Sequence, residues 1–187
     1  MVALSTLLPE DNQLSIFLVN KLYINSFPKK ERIPFKLLLK LCDENKMELL
    51  LVTDRDLFVG FLFVVHYKEL VFILYFAIDE IFRGNGYGSK VLQLMNERYS
   101  DKRIILNVES TQVMAANQAE RERRKKFYVR HGYKEASLSS IERGDTYEML
   151  IFGGEIEKEE YIELLKYTMG KLLFWLLAPK VIDEVRQ

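Results

Sequence analysis

Seven consecutive residues, Arg83-Gly84-Asn85-Gly86-Tyr87-Gly88-Ser89, hold three of the nine glycines of this 187-residue chain. Glycine lets a backbone approach a ligand with no Cβ in the way. A helical pattern starts at once, with Val91, Leu92, Leu94 and Met95 on one face. The first N–H groups of a helix have no internal partner, and the helix dipole adds about half a positive charge at that end. A phosphate suits such a site. Arg83 brings a formal charge to its rim.

Two well-known phosphate loops fit poorly. A Walker A loop needs Gly-Lys followed by Ser or Thr, whereas the chain reads Gly88-Ser89-Lys90. A dinucleotide fingerprint, G-x-G-x-x-G directly after a strand, is met at Gly84 and Gly86 but has Ser89 in the third position. Glu109 falls at a strand end where that fold wants an acid. Five residues nevertheless separate the preceding strand from the first glycine, and what comes before the turn is not a repeat of βαβ units.

The elements that must position the turn read as follows. Val2 to Leu8 is a short strand ended by Pro9. Asp11 or Asn12 can cap a helix running to about Phe27, whose apolar positions Leu14, Phe17, Leu18, Leu22 and Tyr23 follow helical spacing. Pro28 stops it, a polar elbow reaches Arg32, and a second helix spans about Pro34 to Asn45, with Phe35, Leu38, Leu39 and Cys42 inward. The period then changes. Met47 to Thr53, Leu57 to Tyr67 and Leu70 to Ile78 read as a three-stranded meander, with Gly60 marking a bulge. After the glycine turn and its helix come a strand, Ile104 to Val108, and a charged helix, Gln118 to His131, with Gly132 as C-cap. Strands Tyr133 to Leu138 and Thr146 to Phe152 follow. A last helix runs from near Glu157 toward Ala178.

Composition narrows the class. Lys plus Arg equals Asp plus Glu at 27 each, so nothing pulls the chain toward nucleic acid. One cysteine excludes an internal disulfide and a cysteine-based zinc cluster. His66 and His131 lack metal-ligand spacing, and no metal is expected. There is no visible signal peptide, and the Leu172–Pro179 apolar run is far short of the ~20 residues of a membrane span. These features predict a soluble cytoplasmic protein.

The segment Arg83-Gly84-Asn85-Gly86-Tyr87-Gly88 matches R/Q-x-x-G-x-G/A and so resembles the acyl-CoA loop of the GNAT superfamily, the Gcn5-related N-acetyltransferases. The predicted order of strand, two helices, three strands, motif helix, strand, helix and two strands is the GNAT order. Phe127-Tyr128-Val129-Arg130-His131-Gly132-Tyr133 resembles the family's Y-x-x-x-G-F/Y ending of the fourth helix. The resemblance implies an α/β (α+β) fold with a mixed sheet of about seven strands flanked by helices. It covers residues 1–152. Residues 153–187 are then a C-terminal helical extension packed on the same domain or on a partner subunit, a homodimer included, with Trp175 in its apolar run.

The resemblance also implies a chemistry. Such enzymes transfer acetyl from acetyl-CoA to a primary amine by direct attack in a ternary complex. The backbone of Phe76, Ala77 and Ile78 would pair with pantetheine and offer an N–H to the oxyanion. Arg83 to Ser89 would hold the diphosphate. Tyr128 matches the tyrosine that protonates the leaving thiolate; otherwise it is an amphipathic-helix tyrosine beside the core. Glu109 stands where several members keep a base, or is an ordinary strand-end carboxylate. Glu80 and Glu31 are weaker candidates. The family often has Asn seven residues before the tyrosine, and here that position is Arg121, with Arg124 on the same face. Arg121 either contacts coenzyme A or belongs to a solvated face laced by Glu120–Arg124 and Glu122–Lys126 pairs. The acceptor is a small-molecule or peptide amine. A non-catalytic module that holds acyl-CoA is the alternative, and a nicotinamide oxidoreductase a distant third.

Overall fold

A computed structural model describes residues 1–8, 13–177 and 179–183; side chains are described in that range except at 171–173 and 175–177. Asp11 and Asn12, and the side chain of Trp175, lie outside the described residues. The chain divides into two compact units, residues 1–66 with 72–98, and residues 67–71 with 99–187. The strand order is β1-β2-β3-β4 in the first unit and β5-β7-β6-β8 in the second.

In the first unit β1 (Val2–Thr6) pairs antiparallel with β2 (Met47–Asp54), and β2 with β3 (Leu57–Tyr67). Arg55 and Asp56 join β2 to β3 with φ of +49° and +67°, the left-handed pair that closes a two-residue hairpin. β4 (Leu70–Ile78) follows. Two helices intervene between β1 and β2: α1 (Gln13–Ser26) and α2 (Phe35–Asp43). Not all of the apolar positions of α1 face inward. Val19, Leu22 and Tyr23 are buried, while Leu14 and Phe17 are 66% and 62% exposed. Phe17 lies about 140° around the helix from Leu22 at 100° per residue, so both cannot face the sheet.

Tyr23 organises the core on that side. It meets Phe27, Phe35, Phe61, Phe63 and Tyr75, the last edge-on at 4.9 Å. Alternation puts Leu62 and Val64 on the other face of β3, and both are buried. α3 (Tyr87–Arg98) buries Val91, Leu92 and Met95. It is tied at its C-terminal end, where Arg98 bonds Glu48 at 2.6 Å and Thr6 at 3.1 Å. A cation there also suits the helix dipole.

In the second unit β5 (Arg103–Glu109) pairs antiparallel with β7 (Asp145–Phe152), which pairs with β6 (Lys134–Glu142). α4 (Gln118–Val129) ends as expected: Gly132 takes φ of +87°, and the Tyr133 N–H returns to the Tyr128 carbonyl at 3.3 Å. β6 is longer than the sequence indicates because Ser139 and Ser140 are buried within it. Two further departures lie near the C-terminus. α5 (Lys158–Leu177) is broken at Gly170, whose φ and ψ of +72° and +156° are not helical. An eighth strand, β8 (Lys180–Asp183), then pairs with Leu138–Ile141 of β6. α5 is fixed at its start by Arg103, which grips Glu160 with two hydrogen bonds of 2.7 and 2.9 Å.

Candidate active site

The glycine turn grows out of the end of β4. Here β3 is bulged: Val52 faces Gly60 and Thr53 faces Phe58, so Val59 is the extra residue. Its freed carbonyl accepts the Asp79 N–H at 2.9 Å. Gly60 explains itself by distance, since a Cβ there would sit 2.3 Å from the Ala77 carbonyl oxygen. The bulge and the missing side chain thus fix where β4 stops and the turn begins.

Asp79 then caps a single 3-10 turn, Glu80–Phe82, through the Ile81 N–H. Arg83 follows, and its Nε donates to the Ile78 carbonyl at 2.9 Å. Asn85 donates to the carbonyls of Phe82 and Arg83 at 3.2 and 3.3 Å. Tyr87 donates to Asp54 at 2.9 Å, and that bond raises the phenol's pKa. The side chains of Arg83, Asn85 and Tyr87 therefore bond back to the protein. Gly84 and Gly86, both at φ of +79°, border open space: a Cβ on either meets nothing within 4 Å. The Lys90 N–H bonds the Gly86 carbonyl at 3.0 Å, which leaves the amides ahead of it aimed out of the helix. This open, amide-lined turn fits a diphosphate in shape and charge. Of the other residues expected to hold the cofactor, Ala77 is buried, and Phe76, Ile78, Gly88 and Ser89 are half-buried.

The second unit brings Glu109, Arg121 and Arg124 together. Glu109, at the end of β5, receives Arg121 on one oxygen and Arg124 on the other, each at 2.9 Å. Asn117 donates to the same carboxylate at 3.3 Å and accepts from Arg121 Nε at 2.9 Å. Arg121 also reaches the Ser110 carbonyl at 3.1 Å. The expected Glu120–Arg124 and Glu122–Lys126 pairs form as well, at 3.1 and 3.7 Å. Glu109 is thus occupied by two guanidiniums, and Arg121 points into the protein rather than along a solvated face. Glu80 is exposed, as a turn residue would be.

Tyr128 lies one helical turn beyond Arg124. The residue is 9% exposed, and its ring packs against Tyr133 at 5.8 Å. Burial pushes its pKa up to about 12, against a smaller opposing pull from Arg124. Its hydroxyl has no hydrogen-bond partner among the described residues, yet it is not one of the sealed polar atoms, which are Ser26 Oγ and Gln118 Oε1. The phenol is therefore held neutral with a free proton.

One structural pair escaped the sequence reading. Glu148, 3% exposed on β7, binds Lys125 at 2.6 Å, Ser110 at 2.8 Å and the Thr111 N–H at 2.7 Å. Burial alone would raise its carboxyl; Lys125 and the hydroxyl and amide donors outweigh that and lower it. An acid directly ahead of the apolar run Met149–Phe152 was the only available signal.

Comparison with known proteins now gives the fold. Residues 45–135 match the family model described as an acetyltransferase (GNAT) domain. Among solved structures, a GNAT-family protein from Bacteroides thetaiotaomicron is 23% identical, with a TM-score of 0.73 over 95% of this chain and 99% of its own. An aminoglycoside 6'-N-acetyltransferase complexed with coenzyme A is 13% identical, with a TM-score of 0.64 over 80% and 96%. The ribosomal-protein-S18-alanine N-acetyltransferase from Escherichia coli is 14% identical, with a TM-score of 0.57 over 85% and 97%. No curated protein matches. The architecture is the GNAT fold, and residues 45–135 are similar to a GNAT acetyltransferase domain.

Proposed function

We propose that this protein is an N-acetyltransferase that moves an acetyl group from acetyl-CoA to a primary amine by direct attack in a ternary complex. The open glycine turn ahead of α3 carries the reading, because its side chains fold back and its amides face outward. Acetyl-CoA supplies an activated acyl carbonyl and a thiolate leaving group. The amides between Arg83 and Ser89 would hold its diphosphate. The backbone of Phe76, Ala77 and Ile78 would align the pantetheine arm and offer a donor to the charge growing on the carbonyl oxygen.

A neutral phenol whose hydroxyl has no partner among the described residues supports reading Tyr128 as the general acid. A phenol with pKa near 12 is protonated at pH 7 and donates to a sulfur whose partner bond has just broken. The same burial makes it a weaker acid, so the transfer relies on proximity. For Glu109, offered by the sequence as a base, its ion pairs favour a positioning role: it fixes Arg121 and Arg124 on α4. Arg121, so fixed, is our candidate for contact with the cofactor. Water then takes the proton lost by the attacking amine. Residues 1–152 are assigned to the transferase domain and 153–187 to its extension. Two relatives act on an aminoglycoside and on a ribosomal protein's alanine, so small molecules and peptides both stay in range as acceptors.

The test is a thiol-release screen with acetyl-CoA and a broad amine panel, alongside calorimetry with coenzyme A. Turnover with at least one amine is expected. Coenzyme A binding without turnover across the panel would leave a binding module instead.

A further inference from the structure

The elbow between α1 and α2 is built around one arginine. Pro28 and Pro34 bracket it, and both restrict the chain. The Glu31 N–H returns to the Pro28 carbonyl at 2.9 Å. Two phenols then fix the backbone on either side of Arg32. Tyr75 of β4 donates to the Glu31 carbonyl at 2.8 Å and accepts the Ile33 N–H at 3.1 Å. Tyr23 of α1 donates to the Ile33 carbonyl at 3.0 Å. Residues 31 and 33 are clamped, and the residue between them is presented.

Arg32 itself is half-buried, and its charge is felt at the Tyr23 phenol. Three described arginines are half-buried: Arg32, Arg103 and Arg121. Arg103 meets Glu160, and Arg121 meets Glu109. Arg32 meets no carboxylate among the described residues. A partly covered guanidinium with no counter-ion among the described residues is available to pair with an anion, and the clamped backbone fixes where its stem begins. Exposed Lys29 on the same turn adds positive charge. The clamp also fixes location, since Tyr75 directly precedes Phe76–Ile78, the strand end given above to the acyl carrier.

We propose that Arg32 binds the carboxylate of the acceptor, so that the acceptor is an amine bearing a carboxylate a few bonds from its nitrogen. The proposal rests on the transferase reading. A guanidinium and a carboxylate form two parallel hydrogen bonds, which both select the acid and aim its amine. Neutral and cationic amines gain nothing from this group.

The experiment uses the full chain and matched acceptors: amino acids of increasing chain length, each beside its carboxamide. Coenzyme A affinity is measured first by calorimetry. The expected result is a kcat/KM at least about tenfold higher for the carboxylates. Arg32→Gln should erase that preference mainly through KM, with coenzyme A affinity within about twofold of wild type. Arg32→Lys should recover part of it. Equal use of acids and carboxamides by the wild type overturns the proposal. So does a preference that survives in Arg32→Gln, or bound coenzyme A with no carboxylate-bearing amine acetylated. Failure to bind coenzyme A is a separate outcome that removes the transferase reading and the proposal together.

Discussion

Tyr128 joins a buried ring to a hydroxyl that no described residue engages. Replacing it by Phe keeps the packing against Tyr133 and removes only the proton. We expect Tyr128→Phe to lower kcat at least about tenfold, with coenzyme A affinity unchanged, as titration calorimetry beside steady-state rates would check. Gly86→Val tests the proposed coenzyme A site. At φ of +79° a β-branched residue is strained by about 1–3 kcal/mol, and its side chain enters the open face of the turn. Coenzyme A binding should weaken by at least about tenfold while far-UV circular dichroism stays native. These residues were legible from types and spacing. The partners of Glu109 were not, because Arg121 and Arg124 reach it across twelve or more positions of chain, and no local pattern carries such a pairing.

Elements were read well where a period was long and poorly where packing chose the face. The meander, α3 and α4 followed from alternation, the glycine turn and the cap at Gly132. α1 left its inward face unmarked because its apolar residues wind round the helix, and only the clustering on Tyr23 selects the buried stripe. The break in α5 had one sign, Gly170, a residue that helices often tolerate. α4 supplies the element-scale prediction. It is held to β7 by Lys125 on buried Glu148, with Glu135 as a second partner at 2.8 Å. Glu148→Gln should cost about 2–3 kcal/mol, less than a fully sealed pair because Glu135 remains. Urea denaturation with an unchanged m-value is the check; a loss under about 0.5 kcal/mol would refute the anchoring role.

At the scale of the whole chain, ligand linkage and alkaline titration are the informative levers. Coenzyme A at 100 times its dissociation constant should add about 2.7 kcal/mol, or roughly 5–10 °C in Tm for a chain of this size. NADH should give no such shift. Four tyrosines are raised chiefly by burial: Tyr23, Tyr128, Tyr133 and Tyr161. Unfolded phenols ionise near pH 10, whereas these resist. Stability is therefore intact below about pH 10 and lost as pH climbs beyond it, by up to about 1.4 kcal/mol per pH unit for each tyrosine. Chemical denaturation at pH 9, 10 and 11 would show the decline. With equal numbers of acidic and basic residues, global charge said nothing about substrate. That information sits in local pairing, which only folded coordinates display. Among the described residues no helix is long and apolar enough to cross a membrane.

The short strand after α5 has a use beyond its four residues. By lying against Leu138–Ile141 it occupies amide and carbonyl groups that would otherwise form a bare rim. A version of the protein cut before Lys180 should stick to copies of itself, and its light scattering should climb with concentration while the intact chain stays clear.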